Sequence, residues 1–400
     1  MEVDPKHHGI VATAIVTLAA LLVTLTPLGR LLETIAARFY LHFCLVRHQE
    51  SSQDDSSNIT ITGLFIHPGT IVCGACRCSD TKMKRILCRN SLFSHAHTAT
   101  VKSLRAVPVD TATLDDRGFV GDRRLMLVTP APLPLYGKFL ETDPTHRFLS
   151  QRQCPSLARV KATLLDNTTV QLAYNSRTLT VNLHDSSSEP WRASLWDDVV
   201  QVRDLGDQAA EFLSAVVDDE LPDEQRGSVR LVLQAPSDGR RAKDKYVPPS
   251  ARTFGGPKVG LADGFPLLLA NEASLEALNR KLEQKGTNAI AMNRFRPNIV
   301  VRGAPAFDED YWRVIEVDGV ILHIVKGCPR CKESCTDQET GQVFDEPVAT
   351  LQEFRALRRD APEDVFFAQN VALGVGTVGK TLRVGAKVRV LERGPPIWHR

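Results

Sequence analysis

The stretch GCPRCKESCTDQETG, residues 327–341, brings three thiols close together along the chain: Cys328, Cys331 and Cys335. A thiolate is both a soft metal ligand and a nucleophile, so several chemistries compete for this stretch. A structural zinc site closes a tetrahedron with four ligands, usually as two separated C-x-x-C pairs, and the second pair is missing here. Radical-type cluster motifs run C-x3-C-x2-C, whereas this chain has the reverse order. Thioredoxin-like exchange wants C-x-x-C at a helix start within a βαβ unit, and the flanking sequence reads as β-rich. Taken alone, the motif leaves a ligand role and a merely buried or incidental role both open.

A second group, Cys73, Cys76, Cys78 and Cys88, has ligand chemistry, but its C-x-x-C-x-C-x9-C spacing matches no strong zinc pattern. It lies in residues 69–100, a segment without amphipathic period whose composition differs from its flanks. The simplest reading is an insertion between LFIHP and VKSLRAVPVD.

Composition narrows the class. Nine cysteines in 400 residues are too sparse for a disulfide framework and fit a reducing compartment. The 49 basic and 47 acidic residues nearly cancel, so no global field draws the chain to nucleic acid. At 43% hydrophobic residues the chain can bury the cores of two or three domains. The run GIVATAIVTLAALLVTLTPL, residues 9–28, carries no charge and is long enough to cross a hydrocarbon core. Arg30, Arg38 and Arg47 follow it, and the positive-inside bias then places the remainder on the cytosolic side.

The elements that must position the thiols are mostly strands. Short alternating runs bounded by Gly, Pro, Asn and Asp recur as ITGLFIHP, VKSLRAVPVD, RRLMLVTP, RVKATLLD, TVQLAYN and TLTVNL, which signals antiparallel sheets or barrels. Helical spacing predicts helices over 204–219, with Ala209, Phe212, Leu213 and Val216 on one face, and over 271–284, with Leu275, Leu278 and Leu282. Residues 235–257, rich in Gly, Pro and charge, read as a surface loop between two halves. TLRVGAKVRVLERG reads as a strand, turn and strand closing a barrel.

The ordered set LFIHP, VKSLRAVPVD, GFVGDRR-LMLV, FLSQRQ-PSLARV, LADGFPLLLANEASL, NRFRPNIVV, CPRCKESCTDQETG and VGKTLRVGAKVRVL resembles the MOSC (molybdenum cofactor sulfurase C-terminal) superfamily. It is most similar to the membrane-anchored branch, the mitochondrial amidoxime-reducing components, from Ile61 to Arg393 apart from 69–100. The resemblance implies a mainly β fold with some α (α+β). Its expected parts are an anchor and flanking helix at 1–47, a polar tether at 48–60, a MOSC N-terminal β-barrel domain at 61–234 and a MOSC β-barrel domain at 235–400. Removing 69–100 joins LFIHP to VKSLRAVPVD as one uninterrupted strand, so a retained in-frame intron is the reading of that segment.

In that family C-x-R-C-x5-D-x-x-T-G supplies a thiolate to molybdenum held by a pyranopterin. The resemblance therefore selects Cys331 as catalytic ligand, with Asp337, Thr340 and Gly341 completing the motif, and Cys335 as a packing residue. Pro329 and Arg330 flank the ligand, and Arg330 is expected to hold Cys331 as thiolate. The same resemblance makes Lys102, Ser103, Arg123 and Arg296 cofactor-binding, joined by Gly264, Phe265 and Asn370. The implied cofactor is molybdenum-molybdopterin (Moco), and the implied reaction is reduction of N-hydroxylated compounds such as amidoximes. GVGTVGK, residues 374–380, has the glycines of a dinucleotide-binding turn but opens no helix, so no nicotinamide or flavin fingerprint is read. The implied electron donors are cytochrome b5 and NADH-cytochrome b5 reductase, and the implied location is the mitochondrial outer membrane with the catalytic part facing the cytosol. Two alternatives remain. One is a sulfur carrier or maturation protein like the molybdenum cofactor sulfurases, whose descriptions attach pyridoxal phosphate; the other is a silent binding module.

Overall fold

The computed structural model describes residues 60–66, 101–130, 146–166, 168–184, 189–247 and 257–398. The expected anchor at 1–47, the tether as far as residue 59 and the insertion at 69–100 lie outside the described residues. Among the described residues no helix is long and apolar enough to cross a membrane.

The strands of the first half are β1 (Thr60–Ile66), β2 (Val107–Val109), β3 (Thr111–Asp115), β4 (Gly118–Phe119), β5 (Leu125–Pro130), β6 (His146–Leu149), β7 (Lys161–Leu164), β8 (Thr169–Tyr174), β9 (Arg177–Asn182), β10 (Trp191–Leu195), β11 (Asp198–Asp204) and β12 (Arg230–Gln234). Those of the second half are β13 (Leu267–Asn271), β14 (Ile299–Arg302), β15 (Trp312–Val317), β16 (Val320–Arg330), β17 (Val365–Leu373), β18 (Thr381–Arg383) and β19 (Val388–Arg393). Among the described residues three α-helices join them: α1 (Asp207–Val217), α2 (Glu272–Gln284) and α3 (Val348–Phe354).

Strands β10, β11, β12, β5 and β6 close a five-stranded barrel, and β7, β8 and β9 form a separate ribbon beside it. Both predicted helices form. In α1, Ala209, Phe212, Leu213 and Val216 lie on the buried face and pack against Leu125, Leu127 and Leu231 of the barrel. Each fully buried Leu or Phe there contributes about 1.5–3 kcal/mol. Asn271 caps α2, its Oδ1 accepting from the Ala273 amide at 3.1 Å.

The second half departs from a closed barrel. Its eight-stranded sheet runs β19-β15-β16-β17-β13-β14-β1-β2, and the end strands β19 and β2 are not neighbours among the described residues. The ends are instead drawn together by β18, which pairs with β3. TLRVGAKVRVLERG forms the expected strand, turn and strand, but the two strands do not pair with each other: β18 pairs with β3 while β19 pairs with β15. Hydrophobic alternation fixes which face of a strand is buried, but it does not say which strand lies alongside.

Strand pairing also crosses the division expected at 234/235. β1 pairs with β14 and β2, so the first strands of the chain complete the sheet of the second half. The joined run LFIHPVKSLRAVPVD is not one strand. β1 and β2 are antiparallel, with Ile66 opposite Val107, and Val101 to Ala106 belong to the connection between them. The 69–100 segment therefore enters at a turn in the topology and leaves the Leu64–Val109 pairing in register.

Candidate functional site: a cationic cavity around Cys331

A cavity of about 550 Å³ opens between the first barrel and the central strands β16, β17 and β13 of the large sheet. It is built from connections more than from element interiors. Val101 bridges Leu125, and the Lys102 amide donates to the Leu125 carbonyl at 2.6 Å, which sets Lys102 and Ser103 on one wall. The turn before β5 brings Arg123, the turn between β10 and β11 brings Trp196, and the segment before β13 brings Asp263 to Phe265. β16 runs 11 residues and delivers Cys328 to Arg330 to the cavity at its end, with Cys331 following.

All ten positions selected by resemblance line this one cavity: Lys102, Ser103, Arg123, Gly264, Phe265, Arg296, Pro329, Arg330, Cys331 and Asn370. Their backbones are unusual. Ser103, Arg123 and Arg296 take positive φ of 66°, 49° and 55°, as does Trp196 at 57°. A left-handed non-glycine residue costs on the order of 1–2 kcal/mol, and such strain is retained where surrounding structure and function hold it. Gly264 is not in that class, since a Cβ there would meet nothing within 4 Å.

The charges are interlocked. Lys102 pairs with Asp263, which also accepts from Trp196 Nε1 at 3.0 Å. Burial alone would raise the Asp263 pKa, but the Lys102 and Arg152 charges outweigh it and hold the carboxyl well below the usual range. The Asp263 side chain keeps 59% of its surface accessible and lines the cavity, whereas Lys102 is at 7%. Burial lowers the Lys102 pKa against the opposing pull of Asp263. Arg123 donates to Asp122 at 2.6 Å, to Asn298 at 3.2 Å and to the Arg296 carbonyl at 3.1 Å. Arg296 donates to the Leu104 carbonyl at 2.7 Å, and burial pulls its pKa down to about 10.

The cation beside Cys331 is not the expected one. Arg330 turns to Cys328 Sγ at 3.1 Å and to the Phe295 carbonyl at 3.0 Å. Arg152 instead donates to Cys331 Sγ, from Nη2 at 2.9 Å and Nε at 3.3 Å. Adjacent residues at the end of a strand point to opposite faces, which carries the Arg330 side chain away from the sulfur of Cys331. Cys335 is buried, its Sγ donating to the Asp345 carbonyl at 3.4 Å, and it does not line the cavity. Asp337, Thr340 and Gly341 build a turn: Asp337 Oδ1 accepts from the Thr340 amide at 2.9 Å, and Gly341 has φ of 74°.

Residues 235–257 are not simply a surface loop. Arg240 donates to Asp198 at 2.7 Å and to the carbonyls of Gly260 and Asp263, each at 2.8 Å, while Tyr246 and Lys326 form the outer wall, Nζ 4.2 Å from the ring centroid. Burial brings the Lys326 pKa down to about 8.

Nine basic side chains and five acidic ones line the cavity. That excess suits an anionic ligand. Among the described residues no group of three or more His, Cys, Asp or Glu could by itself hold a metal ion. The donor set, with the sulfurs of Cys328 and Cys331 among the lining residues, fits a metal that arrives already ligated on an anionic carrier.

Residues 92–220 match the family model described as the MOSC N-terminal beta barrel domain, and residues 256–395 match the MOSC domain. The chain belongs to the MOSC family. It is 31% identical over 214 residues to the "Mitochondrial amidoxime reducing component 2" of Bos taurus, a match covering 51% of this chain and 57% of that protein. It is 29% identical over 262 residues to the protein of the same name from Macaca fascicularis, covering 64% and 70%. The "Molybdenum cofactor sulfurase" of Caenorhabditis elegans is 25% identical over 257 residues, covering 64% of this chain and 30% of that protein.

Arg152, Trp196, Asp263 and Glu333 also line the cavity and were not singled out by the sequence. Arg152 sits within FLSQRQ and Asp263 within LADGFP, so both motifs were visible while the roles of these two residues were not. The contact between positions 152 and 331 is nonlocal and has no periodic signature.

Proposed function

We propose that this protein is a molybdenum-cofactor-dependent reductase of N-hydroxylated compounds. The observation that carries the reading is the convergence of Cys331, under an arginine at 2.9 Å, with the nine other resemblance-selected positions in one cationic cavity. Cys331 would supply the thiolate to the metal. Lys102, Arg123, Arg296 and Arg330 would hold the cofactor's phosphate and pterin, with Ser103, Gly264, Phe265, Pro329 and Asn370 shaping its seat. When bound, the cofactor supplies the two-electron centre that accepts the substrate's oxygen.

An amidoxime, RC(NH2)=NOH, takes up two electrons and two protons; its N–O bond breaks, leaving the amidine RC(NH2)=NH and water. The electrons come one at a time from cytochrome b5, recharged by NADH-cytochrome b5 reductase. The Lys102–Asp263 pair sets a hydrogen-bond donor at the cavity wall. The relatives' name supports a mitochondrial placement, and the apolar run at 9–28 with the arginines after it supports an anchor that leaves this site facing the cytosol, on the outer membrane.

The alternative of a sulfur carrier rests on the sulfurase likeness, which covers only 30% of that longer protein. Molybdenum content by mass spectrometry, with and without Cys331→Ala, tests the reading together with benzamidoxime reduction by a reduced dye. Molybdenum lost on substitution and amidine formed support a reductase. Molybdenum bound without turnover supports a carrier, and no molybdenum supports a silent module.

A further inference from the structure

Arg152 is held on three sides. Its guanidinium carbon lies 4.5 Å from the Trp196 ring centroid, its Nη2 is 3.6 Å from Glu333, and it meets Cys331 Sγ through two nitrogens at 2.9 and 3.3 Å. The side chain is 8% exposed. The shelf beneath it is itself anchored, since Trp196 sits at a left-handed turn residue and donates to Asp263. The backbone on the other side is anchored too: Gln151 donates to the Ser103 carbonyl at 2.7 Å and to Gln338 at 3.1 Å. The two N–H groups therefore approach the sulfur along fixed directions.

A fixed cation donating two hydrogen bonds to a thiolate draws electron density from the sulfur, and hydrogen bonds to ligand sulfur are among the means by which a protein sets a metal's reduction potential. We propose that Arg152 is a positioning residue that fixes the Cys331 sulfur and, by weakening its donation to the metal, raises the reduction potential of the bound centre. The inference rests on the reductase reading above and adds a residue that neither the motif nor the resemblance assigned. It explains why a planar fork, and not merely a positive charge, stands at this point: the fork meets the sulfur at its edge while its face rests on Trp196. A cation present only to neutralise the cavity would need neither contact.

The test uses the full-length holoprotein, Arg152→Met and Arg152→Lys. Molybdenum content is measured by mass spectrometry, folding by thermal melting, and midpoint potentials by redox titration followed through the Mo(V) paramagnetic signal. Arg152→Met is expected to keep molybdenum within about twofold of the parent and to shift the one-electron equilibrium at least tenfold toward the oxidised form, a fall of 59 mV. Arg152→Lys keeps the charge and loses the fork, so its potential falls between the two, and both variants alter the Mo(V) signal. If Arg152→Met fails to fold, the shift in Arg152→Lys decides. An unchanged potential at full molybdenum content, or loss of molybdenum from both folded variants alike, overturns the assignment while leaving the reductase reading in place. A parent protein without molybdenum overturns the reductase reading and this inference with it.

Discussion

A Cβ placed on Gly327 would lie 2.3 Å from Cζ3 of Trp398, and the Gly327 amide donates to the Ile397 carbonyl at 2.9 Å. The end of the chain is therefore laid against β16 immediately before Cys328. Trp398 is held there by Phe366, ring centroids 5.1 Å apart, and by the Arg355 guanidinium at 5.2 Å. Gly327→Ala must displace the indole, and overpacking of this kind costs about 1–3 kcal/mol. The expected outcome is a lower melting midpoint together with lower molybdenum content, since the displaced strand end carries Cys331. A variant that melts early yet retains full molybdenum content would show that the tail supports the fold without supporting the site.

Lys102 makes the second prediction. Its ammonium pairs with Asp263 and stands 5.5 Å from the centroid of the Phe148 ring, so its position is fixed before any ligand binds. A hydrogen bond to a charged partner contributes about 1.5–3 kcal/mol. Lys102→Ala is expected to weaken cofactor retention about ten- to a hundredfold, read as molybdenum remaining after extended dialysis. Lys102→Arg should recover part of it. Equal retention in all three proteins would remove Lys102 from the cofactor's contacts.

Stability should depend on pH through Glu309, behind the sheet and away from the cavity. Burial pushes its pKa up to about 7, although Ser274 and Asn271 donate to it at 2.7 and 2.9 Å. A carboxyl raised in the folded state favours folding below its ordinary pKa, and that contribution is lost as pH rises from about 4.5 through 7. His323 acts in the opposite sense: burial takes it down to about 4, so stability falls as pH drops from 6.5 toward that value. The two oppose each other between about 4.5 and 6.5, so the Glu309 effect shows most clearly between 6.5 and 8. Glu309→Gln should flatten the decline in melting midpoint over that window, worth about 1 kcal/mol because most of the contribution is already lost between pH 4.5 and 6.5. A wild-type midpoint that does not fall from pH 6.5 to 8 would contradict it.

What was legible in the sequence follows from the range of each interaction. α1 and α2 were readable because Phe212, Leu213 and Val216, or Leu278 and Leu282, repeat at the helical period within a few turns. The β18–β3 pairing was not, because Thr381 and Thr113 meet only after the chain has folded back on itself. The cavity positions came from ordered motifs and do line one space, but their partners did not follow. Cys331 has Arg152, 179 positions away, and not the adjacent Arg330. Residue type and neighbourhood in sequence suggested a cation, and the turn of the strand decided which one.

The 69–100 segment gives the last prediction. β1 ends at Ile66 and β2 begins at Val107, paired with each other in antiparallel register, so a connection must reverse the chain between them whatever its length. Excising 69–100 leaves His67, Pro68 and residues 101–106 to make that reversal, ample for a loop joining paired strands. Val101 keeps its bridge to Leu125 and Lys102 its amide bond to the Leu125 carbonyl, because both contacts lie on the far side of the junction. The excised protein is therefore expected to melt no lower than the parent and to hold at least as much molybdenum. Sequencing the transcript across the junction supplies the companion measurement: a message that splices directly from Pro68 to Val101 supports a retained intron, and one that encodes the segment rules it out. A collapse of the excised protein's melting transition would show instead that residues 69–100 are part of the folded body.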